Sequence, residues 1–561
     1  MKRSFLKIRF IFAMIIGFAI LLIIIFASNF SKKETLRVLY NGEYVNFLCG
    51  GADTCVIVIP GYWDVNAIRM EALNGEFVQP GNEVTFVKCK TNIMYIFLDD
   101  EGFDRVREDK HHKEKGRILV KDKNGNVEYE GKVSIHGRGN GSWRIDKKSY
   151  KIKIGRRMSL LGLPASKKYN LIANHDDTNL RNHIAYEIAR RINTDYPISD
   201  DFVQLYVNGD YQGLYLITNT VTVDSTSVNI GDSGFILDHA LEYDSIDSED
   251  VFSAKSGVKV EVKFPKIMTS EDRLYITSIY NSMEDAITSP HETHYTNYID
   301  IESFARYYLV QEVLLNYDGG RGSMLLYKSD RTDSSKIHAG PIWDMELSMF
   351  NPYQRQEAMS PYIIYVGSEY KNIPSDYKGL FPELCRHSDF MNEVKSIYKT
   401  EMINILDFVF DIYIDSIAPI MEQDVYADCI RWGRSFSYYE EISKIKHLMK
   451  QRVCFLNEIW SNSDTIYSNV IVDPGWIKQF IYQTSTYKVK KGNEFRIPLY
   501  GKYQYGSDYK CVGVYEKGGI IGQTIDVKED TIHLRFEWKK QDVSLGQKIE
   551  NFIKYRLSFL Y

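Results

Sequence analysis

The residues from Ser303 to Leu347 constrain the fold most, because they join a helix that is apolar on almost every side to a β-hairpin. Ser303 can cap the helix, and the glycines after Asp318 can end it. Strands at Met324–Lys328 and Lys336–Trp343 are separated by a polar run and predict a hairpin. The returning strand would bring Asp344 beside the loop that holds Asp318. Two acids at one end of a hairpin indicate a cation to be bound or a proton to be moved.

Each acid also has a purely structural interpretation. Asp318 stands between Asn-Tyr and Gly-Gly and can be a turn residue, while Asp344 can accept backbone N–H groups at a strand end. The hairpin alone does not decide between these interpretations, so the rest of the chain has to be considered.

The N-terminal segment predicts a membrane anchor. Phe10 to Ala27 contains no charged residue and, at about 1.5 Å per helical residue, is long enough to cross most of a ~30 Å hydrocarbon layer. The basic residues before it favour a cytoplasmic tail at 1–9, a transmembrane signal anchor at 10–28 and everything after it outside the membrane. A cleaved signal peptide, which would give a secreted protein, is the alternative.

Composition and strand patterning divide the remaining chain. A length of 561 residues leaves room for two or three domains, and the net charge of -5 makes nucleic acid an unexpected partner. Short strands with Gly and Asn turns predict a small β module at 29–90. A mixed region with strands first and long helices later spans 91–464, and a C-terminal β-rich module spans 465–561. The predicted class is therefore α+β.

A glycine-rich loop and the strand after it form a second candidate site. Gly137, Gly139 and Gly141 could let backbone amides approach a phosphate, although their spacing is not that of a P-loop. With a period of two, Lys148 would share a face with the apolar residues at 150, 152 and 154. A lysine there needs an anionic partner, either a ligand phosphate or a structural carboxylate.

Taken together, the motifs resemble the spore coat protein H (CotH) kinase family. The resemblance covers residues of about 91 to 460, including Arg431-Trp432 and Arg452. It rests on motifs that occur in the family's order and spacing, namely Ile135–Trp143 (IHGRGNGSW), Lys147–Lys153 (KKSYKIK), Leu171–Asp177 (LIANHDD) with Leu180–Asn182 (LRN), Tyr206–Tyr215 (YVNGDYQGLY), Asn316–Asp318 (NYD) and Pro341–Asp344 (PIWD).

This resemblance implies an atypical protein-kinase-like fold with a β-rich N-lobe and a helical C-lobe. It also implies binding of ATP with Mg²⁺ or Mn²⁺ and transfer of the γ-phosphate to serine or threonine of exported, spore-coat or cell-surface proteins. Asp318 would be the catalytic acid that orients the substrate hydroxyl, and Asp344 would hold the metal. The expected nucleotide-contacting residues are Lys148, Arg138, Asn140, Ser142, Trp143 and Arg181.

Several positions differ from the family pattern. Ser323 stands where relatives often have an asparagine that would be a second metal ligand, and Glu346 stands where they have an aspartate. We expect both to serve as weaker metal ligands. Arg181 could contact phosphates or simply pair with Asp176. A catalytically weak or inactive kinase-like scaffold is therefore the alternative function, and a sugar-binding surface protein built from the β modules is a third.

Overall fold

The computed structural model describes residues 34–49, 54–72, 83–240, 250–289, 293–316, 318–320, 322–352, 360–367, 379–461, 467–473, 475, 485–497, 504–505, 509–516, 519–521 and 524–540. The segment expected to anchor the protein, 10–28, lies outside these residues. Within the described ranges, no helix is both long enough and apolar enough to cross a bilayer.

The first half of the described chain is dominated by strands and ends in a closed barrel. Its elements are β1 (Glu34–Tyr40), β2 (Glu43–Cys49), β3 (Thr54–Pro60), β4 (Arg69–Ala72), β5 (Glu83–Cys89), β6 (Asn92–Phe97), α1 (Gly102–Glu108), β7 (Glu114–Lys121), β8 (Val127–Arg138), β9 (Ser149–Met158), β10 (Ser166–Ile172), α2 (Arg181–Arg191), β11 (Asp200–Val207) and β12 (Asp210–Asn219). Strands β6 to β12 follow the order β10-β9-β8-β7-β6-β11-β12, and β10 also pairs with β12, which closes the barrel.

Alternation of side chains fills the barrel. Tyr150, Ile152 and Ile154 of β9 point inward into a buried cluster with apolar residues of the other strands. The period-two pattern predicted for this strand is therefore confirmed, and Lys151 and Lys153 lie on its outer face. Strands β2, β1 and β4 extend the sheet beyond β12, and β3 pairs with β5 in parallel. The described strands β1, β2 and β4 thus continue the sheet of the barrel, while the predicted domain boundaries stay predictions.

A second sheet and the helices follow the barrel. The sheet has the order β14-β15-β13-β16-β17. Its strands are β13 (Phe235–Ala240), β14 (Val251–Ser253), β15 (Lys259–Phe264), β16 (Met324–Lys328) and β17 (Ile337–Ala339), and the helices are α3 (Ser270–Thr288), α4 (Ile301–Val313), α5 (Leu380–Leu384), α6 (Ser388–Ile397), α7 (Ile403–Phe408), α8 (Ile414–Trp432) and α9 (Tyr438–Ser461). Two π-helical turns, Tyr398–Met402 and Val409–Tyr413, join α6, α7 and α8.

The helix and hairpin predicted between Ser303 and Leu347 are confirmed. Helix α4 is buried on nearly all sides, and β16 pairs with β17 in antiparallel register, with Leu326 opposite Ala339. The helix cap is Asp300 rather than Ser303, because the Asp300 side chain accepts the Ser303 N–H at 2.9 Å. The helix therefore starts slightly earlier than the sequence predicts, but its end still leads into the loop of Asp318.

The last described strands follow α9 and form two sheets. They are β18 (Tyr467–Asp473), β19 (Ser485–Lys490), β20 (Glu494–Arg496), β21 (Gln504–Tyr505), β22 (Tyr509–Glu516), β23 (Gly519–Ile521), β24 (Thr524–Asp526) and β25 (Thr531–Lys540). One sheet has the order β19-β18-β25-β22-β21 with β23 beside β22, and the other is a two-stranded sheet of β20 and β24. Apolar residues of these strands, including Val470 and Phe536, join the same buried cluster as the helices. The whole chain is of the α+β class, as predicted, with a β-rich part followed by helices.

Candidate functional site

The loops that carry Asp318 and Asp344 are tied to each other at several points. Trp343 Nε1 donates to the Ser323 carbonyl at 2.6 Å, and the Ser323 hydroxyl donates to Asp344 Oδ2 at 3.2 Å. On the other side, the Met349 N–H donates to the Leu314 carbonyl at 2.7 Å. The two acid-bearing loops therefore lie together, as the hairpin predicts.

The two acids have different surroundings. Asp344 is exposed, has a left-handed backbone with φ of 56°, and its N–H donates to the Tyr186 hydroxyl at 3.3 Å. A non-glycine residue in this region is unfavourable by roughly 1 kcal/mol or more and is held there only by surrounding structure. Asp318 is half-buried in the turn that follows α4. The fold thus holds Asp344 in a strained conformation that presents its carboxylate to solvent.

Asp238 is a third acid that the sequence interpretation missed. It lies on β13, is 8% exposed, and its Oδ2 is 3.4 Å from Lys263 Nζ. Its Oδ1 is buried and has no hydrogen-bond partner among the described residues. Burial raises the pKa of Asp238 to about 7, with Glu261 and Asp344 raising it further and Lys263 opposing the shift. The sequence contains one signal that could have indicated this buried acid, namely an aspartate within the apolar run FILDHA.

Opposite these acids, the outer face of the barrel carries cations. Lys151 on β9 lies across from His136 on β8, and the guanidinium of Arg138 is 6.0 Å from the Trp343 ring. Among the described residues, neither Lys151 nor Arg138 forms an ion pair. Burial lowers the pKa of Lys151 to about 8, and nearby cations lower it further, namely Arg138, Lys168, Lys266 and Lys263. The space between this face and the loops of Asp318 and Asp344 is called the cleft below.

Lys148 does not occupy the expected position. Its ammonium donates to the Trp143 carbonyl at 2.7 Å and lies 4.6 Å from the Trp143 ring centroid. Strand β9 begins only at Ser149, so the alternation that placed Lys148 with the apolar residues does not extend to it. Lys148 therefore stabilises the loop that contains Trp143. The lysine whose neighbours line the cleft is Lys151.

The buried lysine is Lys147, one residue earlier. It is 3% exposed, and its ammonium lies 2.9 Å from the Asp428 carboxylate and 2.7 Å from the Leu214 carbonyl. Burial lowers its pKa to about 8, while Asp428 opposes this shift. The sequence left open a structural carboxylate as the partner of Lys148. The structure gives such a partner, Asp428, to Lys147 instead. This pair fastens α8 to the barrel.

The contacts of Arg181 favour the structural alternative, and its expected contact with phosphates stays a prediction. The side chain is 1% exposed, and its guanidinium donates to Asp176 at 2.8 Å and to the Ser348 carbonyl at 3.1 Å. A buried guanidinium that is already paired has little freedom to reach a ligand in the cleft. The pairing with Asp176, the alternative that the sequence left open, is present in the structure.

The remaining loop residues have contacts within the barrel. Asn140 Oδ1 accepts from Lys110 at 3.1 Å, and Trp143 packs edge-on against Tyr150 with 6.4 Å between ring centroids. Ser142 Oγ lies only 2.3 Å from the position that a Cβ on Gly139 would occupy, so glycine is required there. A role of Asn140, Ser142 and Trp143 over a nucleotide stays a prediction.

Glu346, an expected metal ligand, is held by a hydrogen bond to the loop of His175, and its role at the metal stays a prediction. Its carboxylate accepts the His175 N–H, and burial raises its pKa to about 7. In the part of the chain that the structure describes, no group of three or more His, Cys, Asp or Glu side chains is placed to hold a metal ion. Any divalent cation in the cleft would thus take one or two ligands from the protein, as Mg²⁺ commonly does when phosphates and water supply the rest.

The cleft therefore has the charge distribution that a metal-bound polyphosphate requires. Cations line the barrel face and acids line the loops, and among the described residues Lys151, Arg138 and Asp344 form no ion pair. In comparisons with known proteins, no curated protein matches the chain. The sequence model of one family, described as CotH kinase protein, matches residues 135–456, more than half of the chain and a range that includes every cleft residue named above.

Proposed function

Because the chain belongs to the CotH kinase protein family, we propose that it is an ATP-dependent protein kinase that phosphorylates serine or threonine. The observation that supports this most is the cleft itself. It sets unpaired cations, Lys151 and Arg138, against Asp344 and Asp318. Phosphoryl transfer needs mainly the positioning of charge, and these groups are of the types that it requires.

Lys151 and Arg138 would bind the nucleotide phosphates. Lys151 lies directly across from His136. Burial, Lys151 and other nearby cations lower the pKa of His136, so its imidazole is neutral near pH 7 and offers Lys151 no counterion. Burial already lowers the pKa of Lys151, so an unliganded cleft carries a desolvated cation without a counterion. Charge-assisted bonds from a phosphate would relieve this unfavourable arrangement.

Asp344 would hold the magnesium or manganese ion, with Ser323 as its neighbour. Its carboxylate is exposed to the cleft and fixed by the Ser323 hydroxyl at 3.2 Å. A divalent cation held there would supply positive charge to offset the negative charge of the phosphates. Glu346 is a weaker candidate as a ligand, because its carboxylate already accepts from the His175 amide.

Asp318 would orient the acceptor hydroxyl and take its proton. It follows a rigid buried helix, α4, and the turn around it is fixed by the Gly322 N–H, which donates to the Asp318 carbonyl at 3.1 Å. A carboxylate that is half-buried and immobile is suited to this task, since misplacement of the base strongly lowers the rate.

The setting of the reaction is also part of the proposal. An anchor at 10–28 would place the cleft outside the membrane, so the acceptors would be exported, cell-surface or spore-coat proteins. A second candidate function is a kinase-like scaffold with little activity. It is favoured by two features of the metal side, Ser323 in place of a stronger ligand and the hydrogen bond that engages Glu346.

The test is transfer of label from γ-labelled ATP with Mg²⁺ or Mn²⁺ to the full chain itself and to added acceptor proteins. Asp318→Asn and Asp344→Asn should both abolish transfer, while Asp415→Asn, a substitution of an exposed acid on α8, should not. Label that persists in both cleft variants would refute the assigned site. A parent protein that binds nucleotide without transferring label would favour the scaffold.

A further inference from the structure

Asp238 has an unsatisfied carboxylate oxygen in the interior. The residue is 8% exposed, and its Oδ1 has no hydrogen-bond partner among the described residues. Buried carboxylates in native proteins are normally paired or hydrogen-bonded, so an orphaned oxygen indicates a missing ligand, such as an ion or water.

The lysine beside Asp238 does not satisfy it. Lys263 Nζ lies 2.6 Å from Glu261 and 3.4 Å from Asp238, so its stronger contact is with the neighbouring acid. When Asp238 is ionised, above its pKa of about 7, the three charges sum to one negative charge on this edge of the sheet. Lys263 leaves Asp238 free to interact with a second cation.

Strand geometry directs Asp238 toward the cleft. Ile236 and Asp238 share one face of β13, because side chains on a strand alternate. Ile236 belongs to a small apolar cluster against which Trp343, the residue before Asp344, is packed. The loop of Trp343 and Asp344 therefore borders the face of β13 that carries Asp238. In keeping with this placement, the pKa of Asp238 is raised mainly by burial and also by Asp344. Such like charges are stabilised by a cation between them.

We propose that Asp238 is a second carboxylate ligand, direct or through water, of the divalent cation held by Asp344. This inference rests on the proposed function, since it concerns the metal that accompanies the nucleotide. Asp238 supplies, from another strand, the strong oxygen ligand that Ser323 does not provide. The two acids remain below the three-residue cluster that the described residues lack, and phosphate and water oxygens complete the coordination.

The test measures Mn²⁺ binding to the full chain by electron paramagnetic resonance of the free ion, with Mn²⁺ alone and with Mn²⁺ and ADP. Asp238→Asn should raise the Kd for Mn²⁺ by about 10- to 100-fold. Its melting temperature should not fall, because the variant removes an unsatisfied buried charge. The control is Asp415→Asn, which removes an exposed acid on α8, and it should leave the Kd unchanged.

Each outcome decides the matter. An unchanged Kd in Asp238→Asn, together with weak binding in Asp344→Asn, would make Asp238 a structural acid and overturn the inference. Should Asp238→Asn fail to fold, Asp238→Glu keeps the charge and must retain Mn²⁺ binding if the inference holds. The protein could also bind Mn²⁺ only when both acids are present and yet transfer no phosphate. This result would uphold the inference and refute the proposed kinase activity. Label transfer by the parent, together with unaltered Mn²⁺ binding in Asp238→Asn, would support the kinase and refute the inference about Asp238.

Discussion

Two regions of the molecule bury charged side chains, the interior beside α4 and the walls of the cleft. In the interior, the fully buried Glu312 carboxylate lies 2.7 Å from Arg452 and accepts the N–H groups of Tyr365, Val366 and Gly367 at 2.7, 2.8 and 2.9 Å. In the cleft, Lys151 and Arg138 form no ion pair among the described residues, and Asp238 keeps an orphaned oxygen.

The difference separates structural charges from functional ones. Glu312 and Arg452 form a buried ion pair, so the removal of either should affect folding rather than ligand binding. In the cleft, Lys151 is desolvated and forms no ion pair among the described residues, so the cost of its burial is offset when an anionic ligand is bound. The same contrast distinguishes Lys147, which has a carboxylate partner, from Lys151, which has none.

The largest effect on activity should follow substitution of Asp344. We expect Asp344→Asn to lower the rate of label transfer by about a thousandfold or more, because the metal loses a charged ligand. The melting temperature should stay at the parent value, since the carboxylate is exposed. Transfer assays and thermal unfolding on the same preparation measure both quantities. A variant that unfolds early would show that Asp344 belongs with the structural charges.

In the interior, Glu312→Gln should have the largest effect on stability. It leaves Arg452 buried without a counterion, and the free energy of unfolding should fall by about 3 to 5 kcal/mol. Urea denaturation followed by circular dichroism measures this loss. The control is Glu401→Gln, which breaks a partly exposed pair with Arg306 and should lower stability by less than about 1 kcal/mol. Equal losses in the free energy of unfolding of the two variants would contradict the special structural role given to the buried pair.

Lys151→Met should weaken nucleotide binding by about 10- to 100-fold, the value of one charge-assisted contact to phosphate. The unliganded protein should be as stable as the parent or more so, because a desolvated cation is removed. Isothermal titration with MgADP measures the affinity. Lys153→Met, on the same outer face of β9 but exposed, is the matched control and should bind as the parent does. A weaker affinity in Lys148→Met than in Lys151→Met would restore the original assignment.

The smallest predicted effect is the change in nucleotide affinity with pH. The folded-state pKa of Lys151 is lowered to about 8, so the folded protein loses this proton before the unfolded chain does. Raising the pH from about 7 to about 9 should therefore weaken nucleotide binding by less than about tenfold. It should also stabilise the unliganded protein, because above the folded pKa the unfolded state binds more protons.

The variant Lys151→Arg separates the pH dependence that is due to Lys151 from any that is due to Lys147, whose pKa is also lowered to about 8. Arginine stays charged throughout this range, so binding to the variant should vary less with pH than binding to the parent. Identical pH profiles of MgADP affinity in the two proteins would exclude Lys151 as the titrating group.

Local features of the fold were predictable from the sequence, and long-range ones were not. The hairpin of β16 and β17 and the alternation in β9 follow from neighbouring residues, so both were predicted correctly. The error at Lys148 arose because alternation was extended across a turn that precedes Ser149. The closure of the barrel by β10 and β12 joins segments about 50 residues apart in sequence and leaves no local signal.

The same reason explains which site residues were missed. Asp318 and Asp344 lie in adjacent loops of one supersecondary unit, and their proximity could be inferred. Asp238 gains its significance from Lys263 on a neighbouring strand and from Asp344 more than a hundred residues later. Arg181 was ambiguous because a paired and an unpaired arginine look alike in a sequence, and only its burial favours the structural alternative.

The central claim is that the unpaired charges on both walls of the cleft bind one metal–nucleotide ligand. The most direct test is the rise in melting temperature of the full chain when MgATP is added, measured for the parent, Lys151→Met and Asp344→Asn. We predict equal melting temperatures without ligand, a clear rise in the parent, and little or no rise in either variant. The same rise in all three proteins would contradict the claim.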